Sequence, residues 1–249
     1  ATAYTGEKLN STNIIGQYNP KAKERIILAA HWDCRHITDK DPDESKRDLP
    51  VDGADDGASG VGVLLEVARH LNKLPDYMGV DIIFFDAEDY GSPSDSDTYA
   101  LGSQYWSKNF HVKNYKAEYG ILLDMVGGKN AHFRKELYSM QYALPVMNKV
   151  WKLAGEMGRG DYFLNELGDG VGDDHYFVNT IVRYCFSSRT AWSFGYLCTK
   201  LYDIDPRYFR YFKMTKVRQK VFIDDANNIQ QMRFSPCEFI VFQPIVDIN

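Results

Sequence analysis

Three apolar runs in this chain each stop abruptly at an acidic side chain, and that feature restricts the fold more than any other. Ile26 to Ala30 runs into His31-Trp32-Asp33, Gly79 to Phe85 into Asp86, and Gly120 to Leu123 into Asp124. Runs this apolar on both faces belong in the middle of a sheet covered on both sides. Asn13 to Tyr18 reads as a further strand, joined to the first run through a polar turn at Asn19-Pro20. Between the strands the period changes. Val61, Leu64, Leu65, Ala68 and Leu71 recur three and four apart, with Glu66 and Arg69 between them. Leu101 to Asn109 reads as a short helix. Leu144 to Met157 reads as an amphipathic one, with Pro145 in its first turn and Met147, Val150, Trp151 and Ala154 along one face. Strands alternating with helices predict an α/β fold, with a mostly parallel central sheet and helices on both faces. The 249 residues suit a single domain spanning 1–249. Arg35 to Asp52 carries five Asp, one Glu and two Pro, and reads as a surface loop too charged to pack.

Charge and cysteine usage remove several function classes. Twenty-nine Lys and Arg against thirty-four Asp and Glu leave a net charge of −5, the wrong sign for a nucleic-acid binder. No apolar run approaches the roughly 18 residues of a membrane span. Cys34, Cys185, Cys198 and Cys237 are widely spaced with no CxxC, which fits neither a zinc ribbon nor a disulfide framework. Arg183 to Lys220 holds nine Lys or Arg against two Asp and reads as a solvated face rather than an anion site. The opening Ala1-Thr2-Ala3-Tyr4 has neither an initiator Met nor a basic-then-apolar leader. The expectation is a processed chain or a fragment, secreted or periplasmic, with any signal peptide removed.

In an open α/β sheet, ligands bind at the carboxyl ends of the strands, and that is where the acids lie. His31 and Asp33 follow one strand, Asp86, Glu88 and Asp89 another, and Asp124 a third. Asp55 and Asp56 precede the helix from Ala58, and Asp173, Asp174 and His175 precede another helical run. Taken singly, an Asp at such a junction is most simply a helix N-cap. Together, so many acids at one edge would repel one another unless a cation held them, and carboxylate with imidazole suits a hard or borderline divalent metal.

The ordered set Ala-His31-Trp-Asp33, Gly53-Ala-Asp-Asp56-Gly-Ala-Ser-Gly60, Phe84-Phe-Asp-Ala-Glu88-Asp89, Leu101-Gly-Ser, Leu123-Asp124-Met and Asp173-Asp-His175 resembles the zinc-dependent aminopeptidase and glutaminyl cyclase superfamily. Ala-His-Trp-Asp, Asp-Ala-Glu-Asp-Tyr-Gly and Leu-Gly-Ser-Gln-Tyr-Trp look closest to the bacterial glutaminyl cyclases of the animal type. The resemblance implies a zinc exopeptidase-like fold and a zinc cofactor. It implies metal ligation by Asp56 and Asp89, a general acid/base at Glu88, and hydrogen bonds from Asp124 and Asp173 to the reacting amide. His31 and Asp124 correspond to ligands of a second zinc in the two-metal aminopeptidases. The implied substrates are peptides or proteins with a free N-terminus. The implied activity is cyclisation of an N-terminal Gln to pyroglutamate, the alternatives being two-metal aminopeptidase action or a non-catalytic relative.

Two features depart from the superfamily pattern. Its third zinc ligand is a His in a Trp-His-Thr motif, and at that distance from His175 this chain has Leu197-Cys198-Thr199, which makes Cys198 the candidate ligand. A thiolate is a competent zinc ligand. Phe222 to Pro236 is similar to the opening helix that normally precedes the first strand, and Pro244 to Asn249 to the strand that normally follows Asp-Asp-His. After about residue 182 two readings therefore stand, a rearranged chain or a recorded sequence that departs from the gene.

Overall fold

The computed structural model describes residues 1–185 and 194–197. Strands β1 (Ile14–Tyr18), β2 (Glu24–His31), β3 (Met78–Phe85), β4 (Tyr119–Leu123) and β7 (Phe194–Leu197) form a sheet in the order β1-β3-β2-β4-β7. Every pairing is parallel except β1 with β3. The doubly apolar runs are β2, β3 and β4, and β2 is the middle strand, as expected of runs that must be covered on both sides. Along β2 the side chains divide by parity. Ile27 and Ala29 enter one core with Ile83, Phe85 and Leu122, while Ala30 enters the other with Val80 and Ile82.

Each face then receives its helices. Trp106 of α2 (Leu101–Lys108) and Val178 of α5 (Asp174–Cys185) close the first core. Leu64 of α1 (Ala58–Ala68), with Leu71 just beyond it, closes the second. Fully burying such a side chain contributes on the order of 2 kcal/mol. The mostly parallel sheet with helices on both faces is thus as read from the sequence. Apart from single-turn 3-10 helices, four elements were not foreseen: the edge strand β7, α3 (Leu137–Tyr142), and β5 (Phe133–Lys135) and β6 (Phe163–Leu167), which pair in a small separate sheet. The two strands are too short to show a period. The predicted helix α4 (Leu144–Glu156) buries Met147 and Trp151, and the Trp151 indole donates to the Leu164 carbonyl of β6 at 2.8 Å.

The segment read as a surface loop too charged to pack is in fact packed at its base. The Arg35 guanidinium donates to the Asp89 and Gly91 carbonyls at 2.8 and 2.7 Å and pairs with Asp39 at 2.7 Å. Arg35 has a packing partner because the turn after β3 presents bare carbonyls to it.

Asp81 lies in the centre of β3 with no exposure, and Arg25 at the start of β2 is 7% exposed. The pair is bidentate, at 3.0 and 2.5 Å, and the Tyr115 hydroxyl also donates to Asp81. A buried charge stripped of its partner is far more costly than the pair is favourable. Asp81→Ala should therefore lower unfolding free energy by about 3–5 kcal/mol, read from urea denaturation; a loss under about 1 kcal/mol would mean that Arg25 finds water in the native state.

Candidate active site

The carboxyl ends of β2, β3 and β4 lie at one edge of the sheet, because these strands are parallel and in register. His31 is the last residue of β2 and is 1% exposed. Its Nε2 stands 3.0 Å from Asp56 Oδ1 and 3.0 Å from Asp124 Oδ1, and these three residues can direct one ligand atom each to a common point. Asp33 Oδ1 stands 3.6 Å from the other ring nitrogen, Nδ1. Burial by itself would favour the neutral ring, but the carboxylates of Asp124, Asp33 and Asp56 facing it outweigh burial and push the His31 pKa well up.

Asp56 reaches this point on the turn before α1. The N-cap position of α1 is Gly57, with φ at 96° and no side-chain cap, so neither Asp55 nor Asp56 serves as its N-cap. A Cβ on Gly57 would lie 2.3 Å from the Asp33 carbonyl, and one on Gly60 would lie 2.3 Å from the Leu123 carbonyl. Both contacts are too close for any side chain. They are the physical reason for the glycines of the Gly-Ala-Ser-Gly run: the first turn of α1 rests directly on the ends of β2 and β4. Asp55 turns the other way and accepts from Gly127 N at 2.8 Å, tying the turn before α1 to the one after β4.

Glu88 and Asp89 follow β3 on a turn that Asp33 clamps, accepting Glu88 N at 3.0 Å and Asp89 N at 3.1 Å. Ala87 holds φ at 53° immediately before Glu88, and Met125 holds φ at 48° immediately after Asp124. Left-handed backbone at a residue with a Cβ costs on the order of 1–2 kcal/mol and clusters at functional sites. The α2 side supports the strained turn: Ala100, Leu101 and Gly102 N donate to the Glu88, Ala87 and Asp86 carbonyls at 2.8–3.0 Å.

The acids press on one another. Burial, then the Asp173 charge, pushes the Glu88 carboxyl well above its usual range. Burial and the Asp56 charge raise Asp89 to about 8. Burial and the Asp124 charge raise Asp173, which is 3% exposed, to about 6. Of the residues singled out in the sequence, Asp56 and Asp124 thus meet at His31, while Glu88, Asp89 and Asp173 stand close enough to act on this group electrostatically. Asp89 also has Arg35 at 3.9 Å. Cys198 lies outside the described residues. Sequence reasoning assigned no role to the Asp33 clamp, although Asp33 was part of a recognised motif, and passed over Glu136 entirely.

Glu136 caps α3 and is 5% exposed. It accepts from Tyr138 N, Ser139 N and Val171 N at 2.8, 2.6 and 3.0 Å, and its Oε2 stands 3.2 Å from His175 Nε2. Burial alone would raise this carboxyl; the His175 and Ser139 hydrogen bonds outweigh it and hold it at about 2. No motif marks the residue, since Glu is not a favoured N-cap and its partners outside α3, Val171 and His175, lie more than thirty residues away in sequence.

The model of peptidase family M28 matches residues 13–196. A Zn-dependent exopeptidase from Parabacteroides distasonis is 45% identical, covering 84% of this chain and 72% of that one, with a TM-score of 0.76. Bacteroides thetaiotaomicron glutaminyl cyclase, solved bound to N-acetylhistamine, is also 45% identical, covering 83% of this chain and 71% of that one, with a TM-score of 0.76. Among curated proteins, the glutaminyl-peptide cyclotransferase of Gloydius blomhoffii is 30% identical over 145 residues, or 49% of this chain and 38% of that protein. The chain spans only about a quarter to two fifths of the length of the curated relatives it matches.

The Glu136 carboxyl generates a pH dependence of known sign. A carboxyl held at about 2 in the folded chain, against the usual 4.5, stabilises the fold fully above pH 4.5. That contribution, up to about 3 kcal/mol, disappears as pH falls toward 2. Glu136→Gln should be less stable than the parent at pH 7, with the gap closing between pH 4.5 and 2. Urea denaturation of both proteins across that range checks it; a gap that stays constant would mean the carboxyl is not held down.

Proposed function

The chain belongs to peptidase family M28, and on that premise we propose that it is a zinc-dependent glutaminyl-peptide cyclotransferase, converting an N-terminal Gln to pyroglutamate with release of ammonia. The observation that carries the reading is the likeness to a solved glutaminyl cyclase at 45% identity over 83% of the chain, with the acid-rich edge lying inside the matched region. The substrates are peptides or proteins with a free N-terminus. The same reading makes this an exported bacterial enzyme, secreted or periplasmic. Among the described residues no helix is long and apolar enough to cross a membrane.

The donor set fits a zinc ion: carboxylates crowd around one buried imidazole, and their mutual repulsion leaves negative charge for a cation to balance. Asp56, Asp89 and Cys198 would hold the metal, which supplies a Lewis acid for the side-chain carbonyl of the substrate glutamine. The remaining steps belong to the chain. Glu88 accepts a proton as the substrate's α-amine forms a bond to the carboxamide carbon. It returns that proton to the amide nitrogen as the old C–N bond breaks and ammonia leaves. The raised Glu88 pKa suits a group that must both take and give a proton. Asp124 and Asp173 orient the amide nitrogen. No water enters the products, which separates this reaction from hydrolysis.

One observation favours a second reading. His31, Asp56 and Asp124 can present ligand atoms to a single point, the arrangement a second metal needs in a two-metal aminopeptidase. There Glu88 would serve as base toward water. Metal analysis with product analysis separates the two: one zinc per chain with ammonia from a Gln-initiated peptide supports cyclisation, and two zincs with free amino acid released supports the peptidase.

Two substitutions test the roles. Glu88→Gln should retain zinc and fold yet lose nearly all turnover; more than roughly a tenth of the parent rate remaining would exclude the proton-carrier assignment. Asp56→Ala should lose zinc affinity as well as rate, by isothermal titration with the metal, because it deletes a ligand.

A further inference from the structure

Glu136 lies outside every motif of the active site, yet its carboxylate grips the chain on both sides of Asp173. Oε1 accepts from Val171 N at 3.0 Å, two residues before Asp173, and Oε2 stands 3.2 Å from His175 Nε2, two residues after it. The same oxygens accept the Tyr138 and Ser139 N–H groups that open α3. One buried carboxylate thus joins a helix end to the segment that delivers Asp173. That segment, residues 168–172, contains three glycines and is exposed from 169 to 172, with only Gly168 half-buried. Glycine loses more backbone freedom on ordering than any other residue. Two backbone bonds, Gly168 N to Lys135 O at 2.8 Å and Leu137 N to Asp169 O at 3.2 Å, secure only its start. The carboxylate secures its end.

We propose that Glu136 is a positioning residue for catalysis, acting through Asp173: it ties down the backbone at Val171 before that acid and the His175 ring after it, so that the Asp173 carboxyl meets the reacting amide without a search. The proposal rests on the reading that Asp173 orients the amide of the substrate glutamine. Glu136→Gln replaces one oxygen by an NH2 group, which turns donors toward either the Tyr138 and Val171 N–H groups or the Ser139 N–H and His175. Half of the grip becomes repulsive while size is kept. Misplacement of a positioning group by about 1 Å costs up to about a hundredfold in rate.

The test compares parent, Glu136→Gln and Tyr115→Phe in zinc-loaded full-length protein. The last variant removes a buried hydroxyl bonded to Asp81, far from Asp173 in the chain, and controls for plain loss of stability. Glu136→Gln should lower kcat about tenfold and leave KM within twofold, with zinc content unchanged and faster amide hydrogen exchange over 168–175. Tyr115→Phe should lower the melting temperature without changing kcat. Parental kcat in Glu136→Gln despite faster exchange would overturn the proposal, as would an equal kcat loss in both variants. Should Glu136→Gln not fold, Glu136→Asp, which keeps the charge but draws both oxygens back by one methylene, is held to the same kcat and exchange criteria. A parent that releases no ammonia from Gln-initiated peptides defeats the cyclase reading and this proposal's catalytic role together. In that case exchange over 168–175 still separates the two: slower exchange in the parent than in the variant leaves the grip standing, and equal exchange removes it.

Discussion

A single imidazole nitrogen organises the carboxyl edge of the sheet. His31 Nε2 lies 3.0 Å from both Asp56 and Asp124, which arrive from different elements and would otherwise repel each other. Around that point the chain concentrates acids whose carboxyls are pushed upward by burial and by one another. Such a cluster is costly, and the architecture is arranged to tolerate it. The strands that bring it together are held by two apolar cores, one on each face, and by a bidentate ion pair between Arg25 and Asp81.

The turns at this edge are held by complementary means. Asp33 takes two consecutive N–H groups after β3, α2 returns three N–H groups to the same turn, and α1 approaches so closely that only glycine fits at its first contacts. Ala87 stays in left-handed backbone beside Glu88 because these bonds over-determine it, and the left-handed Met125 beside Asp124 is followed by Val126 and Gly127, whose N–H groups are held by Ser59 and Asp55. Glu136 does for Asp173 what Asp33 does for Glu88 and Asp89: a carboxylate accepts backbone N–H groups and thereby places another carboxylate.

Membership in peptidase family M28 accounts for the sheet and for the order of the acidic motifs. It leaves cyclisation and hydrolysis both chemically open, because the two reactions share the carboxylates and differ in the nucleophile that reaches the carbonyl. An intramolecular amine needs orientation, whereas water needs activation. That is why the groups placing Asp124 and Asp173 bear on the cyclase reading as directly as the metal ligands do.

By itself, the sequence determined the sheet and the edge where the acids gather. Runs apolar on both faces admit only central strands, as β2, β3 and β4 are, and an acid following such a run must emerge at its carboxyl end. The 3.6-residue period of α1 and α4 was equally local and equally legible. Only the tertiary structure decided the rest. The antiparallel direction of β1, the pairing of short β5 with β6, and the burial of Arg35 depend on which surface each segment meets, and no local pattern encodes that. The Asp81–Arg25 pair and the grip of Glu136 on Val171 and His175 join residues more than thirty positions apart. A buried carboxylate reads in sequence like any solvated one; its partners exist only once the chain has closed around it.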